Sequence, residues 1–211
     1  LEKYSKRVEE AGRDWTDISD GQQREWVEQS VEEAVTDYGN SVLYSSARNE
    51  YMIGRMKRML SRTIWALTEQ LSAGDFKPAG YELRFANGKI DRVDTCEDGG
   101  KIYVKVLDYK TGMKAFDIVS LYEGLQLQLM VYMDAAVKLE QRRNPGKEVV
   151  PAGVFYYRIQ DPLVEKAEGE EERREAVLKE LKPDGIMSQE EEVLSHLDRD
   201  RSGESIAVPV K

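Results

Sequence analysis

The first third of the chain repeats apolar residues at helical spacing. Residues 1–11 and 22–38 show this period, and residues 47–72 extend it into a broad apolar stripe that ends shortly before Gly74. All three stretches are predicted to be helices. The first begins at Leu1 inside the periodic pattern, with no N-cap residue ahead of it, so we expect the chain to be a piece of a longer protein.

Three arginines share one face of the long predicted helix. Arg55, Arg58 and Arg62 lie at positions i, i+3 and i+7, a spacing that aligns side chains along a helix. A solvated charged face is the simpler interpretation of such a stripe. The alternative is a surface that contacts the phosphates of DNA, and it makes these arginines candidate DNA-binding residues.

After residue 78 the period changes from helix to strand. Two short strands flank Asn87-Gly88, a dipeptide that suits a two-residue turn with positive φ at both positions. With that turn, the predicted cross-strand pairs are Ala86 with Lys89, Arg84 with Asp91 and Glu82 with Val93. Alternation then puts Glu82, Arg84 and Asp91 on one face of the hairpin. The other face, expected to be the core face, carries Tyr81, Leu83, Phe85 and Ile90.

A second turn, at residues 97–101, leads into an apolar strand that ends in two charges. The residues of one parity along this strand are Ile102, Val104, Val106, Asp108 and Lys110. Side chains two residues apart on a strand point to the same side, about 7 Å from each other. Asp108 and Lys110 are therefore expected to face the same space at the end of the strand.

The rest of the chain alternates between helix and strand. We predict a helix over residues 119–143, then an inner strand over 149–159 that is covered on both faces. An acidic, charged helical insertion is expected over 161–187, a short helix over 188–198 and a last strand near 205–210.

This order of elements predicts an α/β domain with helices flanking a mixed central sheet. We expect one domain, with a helical region over 1–78, the catalytic core over 79–160 and an acidic helical extension with a terminal strand over 161–211.

Composition excludes several classes of protein. The chain has 211 residues and a formal net charge of −9, which argues against a generic basic nucleic-acid binder but not against an enzyme whose metal site is itself acidic. No apolar run approaches the ~20 residues of a membrane span. Cys96 is the single cysteine, so an internal disulfide and a cysteine-only metal site are excluded. A lone cysteine fits a reducing compartment, and we expect a cytoplasmic location.

The charged strand end has the components of a phosphodiester-hydrolysing site. Carboxylates of Asp91 and Asp108 on adjacent strands suit a hard divalent ion such as Mg²⁺. Lys110 cannot ligate a metal, but it can stabilise charge on a phosphate or orient a water molecule. A surface ion pair between Asp108 and Lys110 is the alternative interpretation of this spacing.

Three motifs in order resemble one nuclease family. They are GKID at 88–91, LDYK at 107–110 and QLMVY at 128–132. This set is similar to the motifs of the RecB-like branch of the PD-(D/E)XK nucleases. The sequence around the motifs most resembles the nuclease domain at the C-terminus of the AddB (RexB) family of helicase–nuclease subunits. The resemblance covers almost the whole chain and implies a restriction-endonuclease-like core with an N-terminal helical region.

The resemblance also implies roles for individual residues. Asp91 and Asp108 would bind Mg²⁺, for which Mn²⁺ would substitute, and Lys110 would be the catalytic lysine. Glu82 would be the further acidic residue of the site. The backbone carbonyl of Tyr109 is an extra candidate ligand. Gln128 and Tyr132, one helical turn apart, would position DNA or the lysine, although Tyr132 is alternatively a core residue.

Two features of the family are missing from this sequence. The family carries a histidine in a helix that would lie just upstream of Leu1, whereas His196 lies near the other end and is expected to be an ordinary surface or partly buried residue. AddB-type domains also carry an iron–sulfur cluster on four cysteines. Cys96 matches none of those positions, so we expect no cluster in this chain and a structural role for Cys96. Activity of the isolated fragment is left open.

The function implied by the resemblance is metal-dependent exonucleolytic cleavage of DNA within a helicase–nuclease complex, for double-strand-break end processing and recombinational repair. The expected partners are DNA, fed as a single strand by a helicase, and an AddA-type subunit. Two alternatives remain: a free-standing RecB-like exonuclease, and a nuclease fold kept as a DNA-binding or scaffold module. Retention of Asp91, Asp108, Lys110 and Gln128 argues against the second.

Overall fold

The computed structural model describes residues 1–39, 46–86, 88–112, 115–164, 169–200 and 204–209. Its helices are α1 (Glu2–Glu10), a 3₁₀ turn (Trp15–Asp17), α2 (Asp20–Gly39), α3 (Ala47–Ala73), α4 (Ile118–Tyr122), α5 (Gln128–Arg143), α6 (Glu170–Glu180) and α7 (Glu191–Leu197). Its strands are β1 (Lys77–Phe85), β2 (Gly88–Asp98), β3 (Lys101–Lys110), β4 (Glu148–Arg158) and β5 (Asp184–Met187). No helix in the described ranges is both long and apolar enough to cross a lipid bilayer.

The five strands form one sheet in the order β1-β2-β3-β4-β5. Neighbouring strands are antiparallel except β3 and β4, which run parallel. Parallel neighbours need a crossover connection, and α4 and α5 lie in the segment that makes it. The mixed sheet and its flanking helices confirm the predicted α/β class.

Helices cover both faces of the sheet. On one face, α1, α2 and α3 pack against Leu107 of β3 and Tyr157 of β4. On the other face, Leu129 and Ala136 of α5 pack against strand residues, which are Ile90, Val93, Val104, Val106 and Val154. The second half of β4 is buried on both faces, as predicted for an inner strand.

The β1–β2 hairpin has a different register from the predicted one. Arg84 lies opposite Lys89 and Phe85 lies opposite Gly88, so the predicted pairs are wrong. Gly88 is the first residue of β2 rather than a turn residue, and Asn87 lies outside the described residues. A Cβ at Gly88 would press against the ring of Phe85 at 3.2 Å, so this glycine makes room for packing.

The turn with positive φ at both positions lies instead between β2 and β3. Gly99 and Gly100 have φ of 56° and 80°, and they connect the paired residues Asp98 and Lys101. Glycine takes these angles without the steric cost that a side chain imposes. This tight turn sets the register of the β2–β3 hairpin, which carries both aspartates of the candidate site.

Glu82 interrupts the alternation of β1. Its φ is 52°, in the left-handed region that residues other than glycine seldom adopt. Tyr81, before it, packs against the α1–α3 side of the sheet, whereas Leu83 and Phe85, after it, pack against the α5 side. The prediction that Tyr81 shares a face with Leu83 and Phe85 is therefore wrong. The left-handed conformation of Glu82 makes the side chains before and after it point to opposite faces of the sheet.

The helix predicted over residues 119–143 is divided into α4 and α5. Gly124, in the connection between them, has a φ of 79°, which ends the first helix. Gln128 is consequently the first residue of α5 rather than a residue of a helix interior.

The C-terminal third contains a strand that the sequence pattern did not predict. The acidic stretch forms α6 and then β5, a four-residue strand antiparallel to β4. α7 matches the predicted short helix. The predicted last strand is absent from residues 204–209, which bend, and Ala207 and Val208 are buried against Phe76 and Tyr103 without strand pairing.

Gly185 of β5 has no room for a side chain, because a Cβ there would overlap the main chain of β4 at Val154 and Phe155. We expect Gly185→Ala to lower the free energy of unfolding by about 1–3 kcal/mol, as overpacking does. Urea unfolding followed by circular dichroism measures the change.

Gly21→Ala is the matched control. A Cβ at Gly21, in the first turn of α2, meets nothing within 4 Å. The change is expected to be neutral or to stabilise by up to ~1 kcal/mol. Equal stability of the two variants would show that β5 does not pack against β4 as described.

Candidate active site

Strands β2 and β3 separate where the two candidate metal ligands lie. Their pairing runs from Asp98–Lys101 to Arg92–Leu107. Beyond this point the backbone N–H of Tyr109 donates a hydrogen bond to Oδ2 of Asp91 at 2.8 Å. The Asp91 carboxylate therefore lies beside the peptide that joins Asp108 to Tyr109.

Asp108 and Lys110 form an ion pair on the α5 side of the sheet. The Asp108 side chain is 4% exposed and the Lys110 side chain 20% exposed, so the pair is largely buried rather than a surface pair. The Lys110 ammonium also lies 5.1 Å from the centre of the Tyr156 ring. Burial and neighbours together restrict the positions that this lysine can take.

The first turn of α5 continues this chain of contacts. Lys110 Nζ donates to Oε1 of Gln128 at 3.2 Å, and Nε2 of Gln128 donates to the Tyr132 hydroxyl at 2.8 Å. The Tyr132 ring packs edge-on against Phe85, with 5.7 Å between ring centres. Tyr132 thus contributes to the core and also fixes the amide of Gln128. The structure brings Asp108, Lys110, Gln128 and Tyr132 together in one network.

Glu82 lies on the other side of this strand end. It makes an ion pair with Lys89 across the hairpin and, with Asp91, it lines a groove beside α3. Within the described ranges, no group of three or more histidine, cysteine, aspartate or glutamate side chains is arranged to hold a metal ion. Glu82 is therefore not gathered with both aspartates, and its role as a ligand stays a prediction. Its left-handed backbone is the kind of strain that is found at functional sites.

The groove beside α3 has a volume of about 770 Å³. Tyr51, Met52 and Met56 form much of its wall and are strongly exposed. Arg55 stands in the same wall, so one arginine of the predicted stripe reaches the groove that contains Asp91. We call this space the active-site groove; it contains Asp91, Glu82 and Tyr109, whereas Asp108 and Lys110 lie on the α5 side of the sheet and do not line it.

The two other arginines of the stripe have different surroundings. Arg62 donates to the carbonyl of Pro162 at 2.9 Å and pairs with Asp161 at 2.5 Å. Arg58 is exposed. The stripe is thus neither wholly free nor wholly paired, and its role in DNA binding stays a prediction.

A buried cluster of charges supports the same strand ends, and sequence reasoning missed it. Arg92 and Asp94 of β2 are 1% and 0% exposed, and their side chains are joined by contacts of 2.5 Å and 3.1 Å. Lys105 of β3 lies 3.1 Å from Asp94, and the Arg92 guanidinium lies 5.0 Å from the Trp15 ring. The available signal was the presence of these charges at inward positions of otherwise apolar strands.

Asp94 is ionised in this cluster. Burial alone would raise the pKa of its carboxyl, but Arg92 and Lys105 outweigh burial and hold that pKa below its ordinary value. Because Arg92 directly follows Asp91, the cluster restrains the backbone from which the Asp91 carboxylate projects.

His196 and Cys96 lie outside the candidate site. His196 is partly buried, with Nδ1 3.0 Å from Asp75, and its ring packs against Tyr103. Cys96 is buried in the cluster that contains Tyr103, and burial raises the pKa of its thiol to about 11. A protonated, buried thiol fits the structural role expected for it.

Comparison with known proteins identifies the family to which the chain belongs. The model of the PD-(D/E)XK nuclease superfamily matches residues 1–205. This match covers nearly the whole chain, and the chain belongs to that superfamily.

Curated relatives of the chain are named as the B subunit of an ATP-dependent helicase/deoxyribonuclease. The chain is 42% identical over 212 residues to this protein from Lachnoclostridium phytofermentans, covering 97% of the chain and 18% of that protein. It is 31% identical over 231 residues to the relative from Clostridium acetobutylicum and 33% identical over 233 residues to that from Alkaliphilus metalliredigens, covering in both cases 99% of the chain and 20% of the relative. The chain thus spans about a fifth of the length of these relatives. The predicted resemblance is confirmed.

Removal of the Asp94 charge tests the buried cluster. We expect Asp94→Asn to destabilise the fold by about 3–5 kcal/mol at pH 7, because Arg92 and Lys105 are left buried without their anion. The pKa of Asp94 is lowered on folding, so its stabilisation is complete above the unfolded-state pKa of about 3.9 and is lost as the pH falls below it. Urea unfolding at pH 7 and pH 3 is therefore expected to show a smaller difference between wild type and variant at pH 3.

Asp134→Asn is the control for this change. Asp134 pairs with Lys138 on an exposed helix face, so its loss is expected to cost less than about 1 kcal/mol. Similar losses for both variants would contradict the buried cluster.

Proposed function

We propose that the chain is the nuclease part of a larger protein that hydrolyses phosphodiester bonds of DNA with a divalent metal ion. The observation that carries this proposal is the hydrogen bond from the Tyr109 amide to Asp91, which holds one carboxylate beside the peptide that follows Asp108. Lys110, two residues further on, faces the same side of the strand as Asp108. Membership of the PD-(D/E)XK nuclease superfamily supports the proposal independently.

The oxygen donors at the strand end fit a Mg²⁺ ion. Mg²⁺ is commonly bound through one or two carboxylates while it keeps several water ligands, so a pair of aspartates is sufficient. Asp91 and Asp108 would hold the ion, with the Tyr109 carbonyl and Glu82 as further candidates. A bound ion would polarise the phosphate and lower the pKa of a coordinated water molecule, and Mn²⁺ is expected to replace it.

Lys110 would stabilise the charge that develops on the phosphate or orient the attacking water. Its ammonium has no lone pair for the metal, and it is held between the Asp108 carboxylate and Oε1 of Gln128. The Tyr132 hydroxyl accepts from Nε2 of Gln128, which leaves the amide oxygen facing the lysine. Gln128 and Tyr132 would therefore position Lys110 and restrict its rotation.

The names of the relatives suggest the setting of this reaction. We propose that the parent protein acts with an AddA-type helicase–nuclease partner and cuts single-stranded DNA exonucleolytically as the helicase delivers it. Processing of broken ends for recombinational repair would be the biological use. DNA as substrate and a single buried thiol both fit a cytoplasmic location.

Asp108→Asn tests the site in the full-length protein within its helicase complex. We expect Mg²⁺-dependent cleavage of single-stranded DNA to fall at least ~10²-fold, because a metal-binding and lysine-pairing carboxylate is lost. ATP hydrolysis by the complex is expected to be unchanged, and Asp134→Asn should leave cleavage intact. Full cleavage by Asp108→Asn, with the partner's own nuclease site inactivated, would refute the proposal.

A Mn²⁺ soak tests the metal site directly. We expect an anomalous difference peak within coordination distance of Asp91 and Asp108 carboxylate oxygens in crystals of the full-length protein. Asp91→Asn crystals should show a weaker peak or none. Absence of the peak from wild-type crystals in which the Asp91–Tyr109 hydrogen bond is intact would show that these aspartates do not hold the metal.

A further inference from the structure

A second cavity, of about 640 Å³, lies between α2, α3 and α6. Arginines from all three helices line it: Arg24, Arg62, Arg173 and Arg174. We call it the arginine cleft. The whole chain carries a formal charge of −9, so a cavity lined by four arginines is locally positive on a protein whose net charge is negative. Such a local positive field attracts an anion.

Packing between the helices brings these arginines together. Val177 and Leu178 of α6, and Leu181 directly after it, are buried against Ala66 of α3. The side chain of Gln23, next to Arg24 in α2, donates to Thr68 of α3 at 3.2 Å. These contacts hold the three helices in fixed relation, so the cleft is part of the fold.

Two of the four arginines are already engaged. Arg62 contacts Pro162 and Asp161, and Arg174 pairs with Glu69 at 2.8 Å while its guanidinium lies 4.9 Å from the Trp65 ring centre. Both guanidinium groups are thereby fixed at the cavity wall. They supply charge and shape, but part of their hydrogen-bonding capacity is used.

The other two arginines are available. Arg24 and Arg173 are exposed, and neither guanidinium makes a hydrogen bond or ion pair with another residue of the described ranges. Asp20 and Glu170 also line the cleft, yet neither carboxylate pairs with these arginines. Among the residues that the structure describes, the lining therefore carries net positive charge, and the Arg24 and Arg173 guanidinium groups have no partner there that would compete with an anion.

The arginine cleft is connected to the active-site groove by α3. Arg55 lines the groove and Arg62 lines the cleft, seven residues later and so about 10 Å along the same helix face. Exposed Arg58 lies between them. One strand of a B-form duplex rises about 3.4 Å per nucleotide, so about three nucleotides cover this distance, and an extended single strand covers it in fewer.

We propose that the arginine cleft binds the phosphodiester backbone of the DNA strand that is cut in the active-site groove, a few nucleotides from the scissile bond. Arg24 and Arg173 would each contact a phosphate, because a guanidinium presents paired donors that match phosphate oxygens. This inference rests on the proposed function. A free mononucleotide offers the same phosphate chemistry, and the experiment separates the two ligands.

The test uses the full-length protein in its helicase complex, with the partner's nuclease site inactivated and without ATP. Cleavage of a single-stranded 20-nucleotide DNA is compared with cleavage of bis(p-nitrophenyl) phosphate, which is too small to reach the cleft. For the double variant Arg24→Gln, Arg173→Gln we expect KM for DNA to rise at least threefold, while the ratio of kcat values for the two substrates stays constant. The slope of log(1/KM) against log[salt] should become shallower by about 1.4, at about 0.7 for each lost contact to a single strand.

Arg142→Gln is the control, because Arg142 is an exposed arginine at the end of α5. Unchanged KM and salt slope in the double variant would overturn the inference, as would an equal effect of Arg142→Gln. Thymidine 5′-monophosphate is the second probe: loss of its inhibition with no change in KM for DNA would mean that the cleft takes a mononucleotide instead. Failure of the proposed function would differ from all these results, since wild-type cleavage would then not depend on Asp108.

Discussion

The hydrogen bond between the Tyr109 amide and the Asp91 carboxylate is the contact on which the candidate site depends. Two antiparallel strands end their regular pairing at Arg92 and Leu107, and a side chain then takes the place of a main-chain acceptor. The strands can diverge there without leaving the Tyr109 amide unpaired, which would be costly in a partly buried position. The end of regular pairing leaves an opening between the two strands, and the same bond keeps the Asp91 carboxylate beside the peptide that follows Asp108.

Two layers of polar contacts hold this opening from opposite sides of the sheet. Behind it, Arg92, Asp94 and Lys105 form a buried cluster that fixes the backbone of β2 and β3. In front of it, Gln128 and Tyr132 restrain Lys110. Buried charges are expensive unless they are paired, so both layers favour one arrangement of the strand ends over alternatives. Rigidity of this kind is what a site that positions a phosphate requires.

The sequence predicted the α/β class and the mixed sheet from the change of hydrophobic period, whereas the contact of Gln128 and Tyr132 with Lys110 was implied by the resemblance of the motifs to a nuclease family. It predicted the hairpin register wrongly, because Asn87-Gly88 has the chemistry of a turn, whereas the packing of Phe85 against Tyr132 makes Gly88 a strand residue. The change of side-chain face at Glu82 could not be predicted from the neighbouring residues, since glutamate does not favour a positive φ. The sequence did not predict β5 because four residues are too few to show a period. This strand forms through its pairing with β4.

The two halves of the candidate site differ in how they are connected along the chain. Asp91 and Asp108 belong to one hairpin closed by Gly99 and Gly100, whereas Gln128 lies in the crossover between parallel strands. Hairpins form within about 1–10 μs, but parallel pairing must first close a long loop and is slower. During folding, the carboxylates are therefore expected to meet early and the restraint on Lys110 to arrive late. A partly folded chain that has formed the hairpin but not the parallel pairing would have Asp91 and Asp108 in place while Lys110 is still unrestrained.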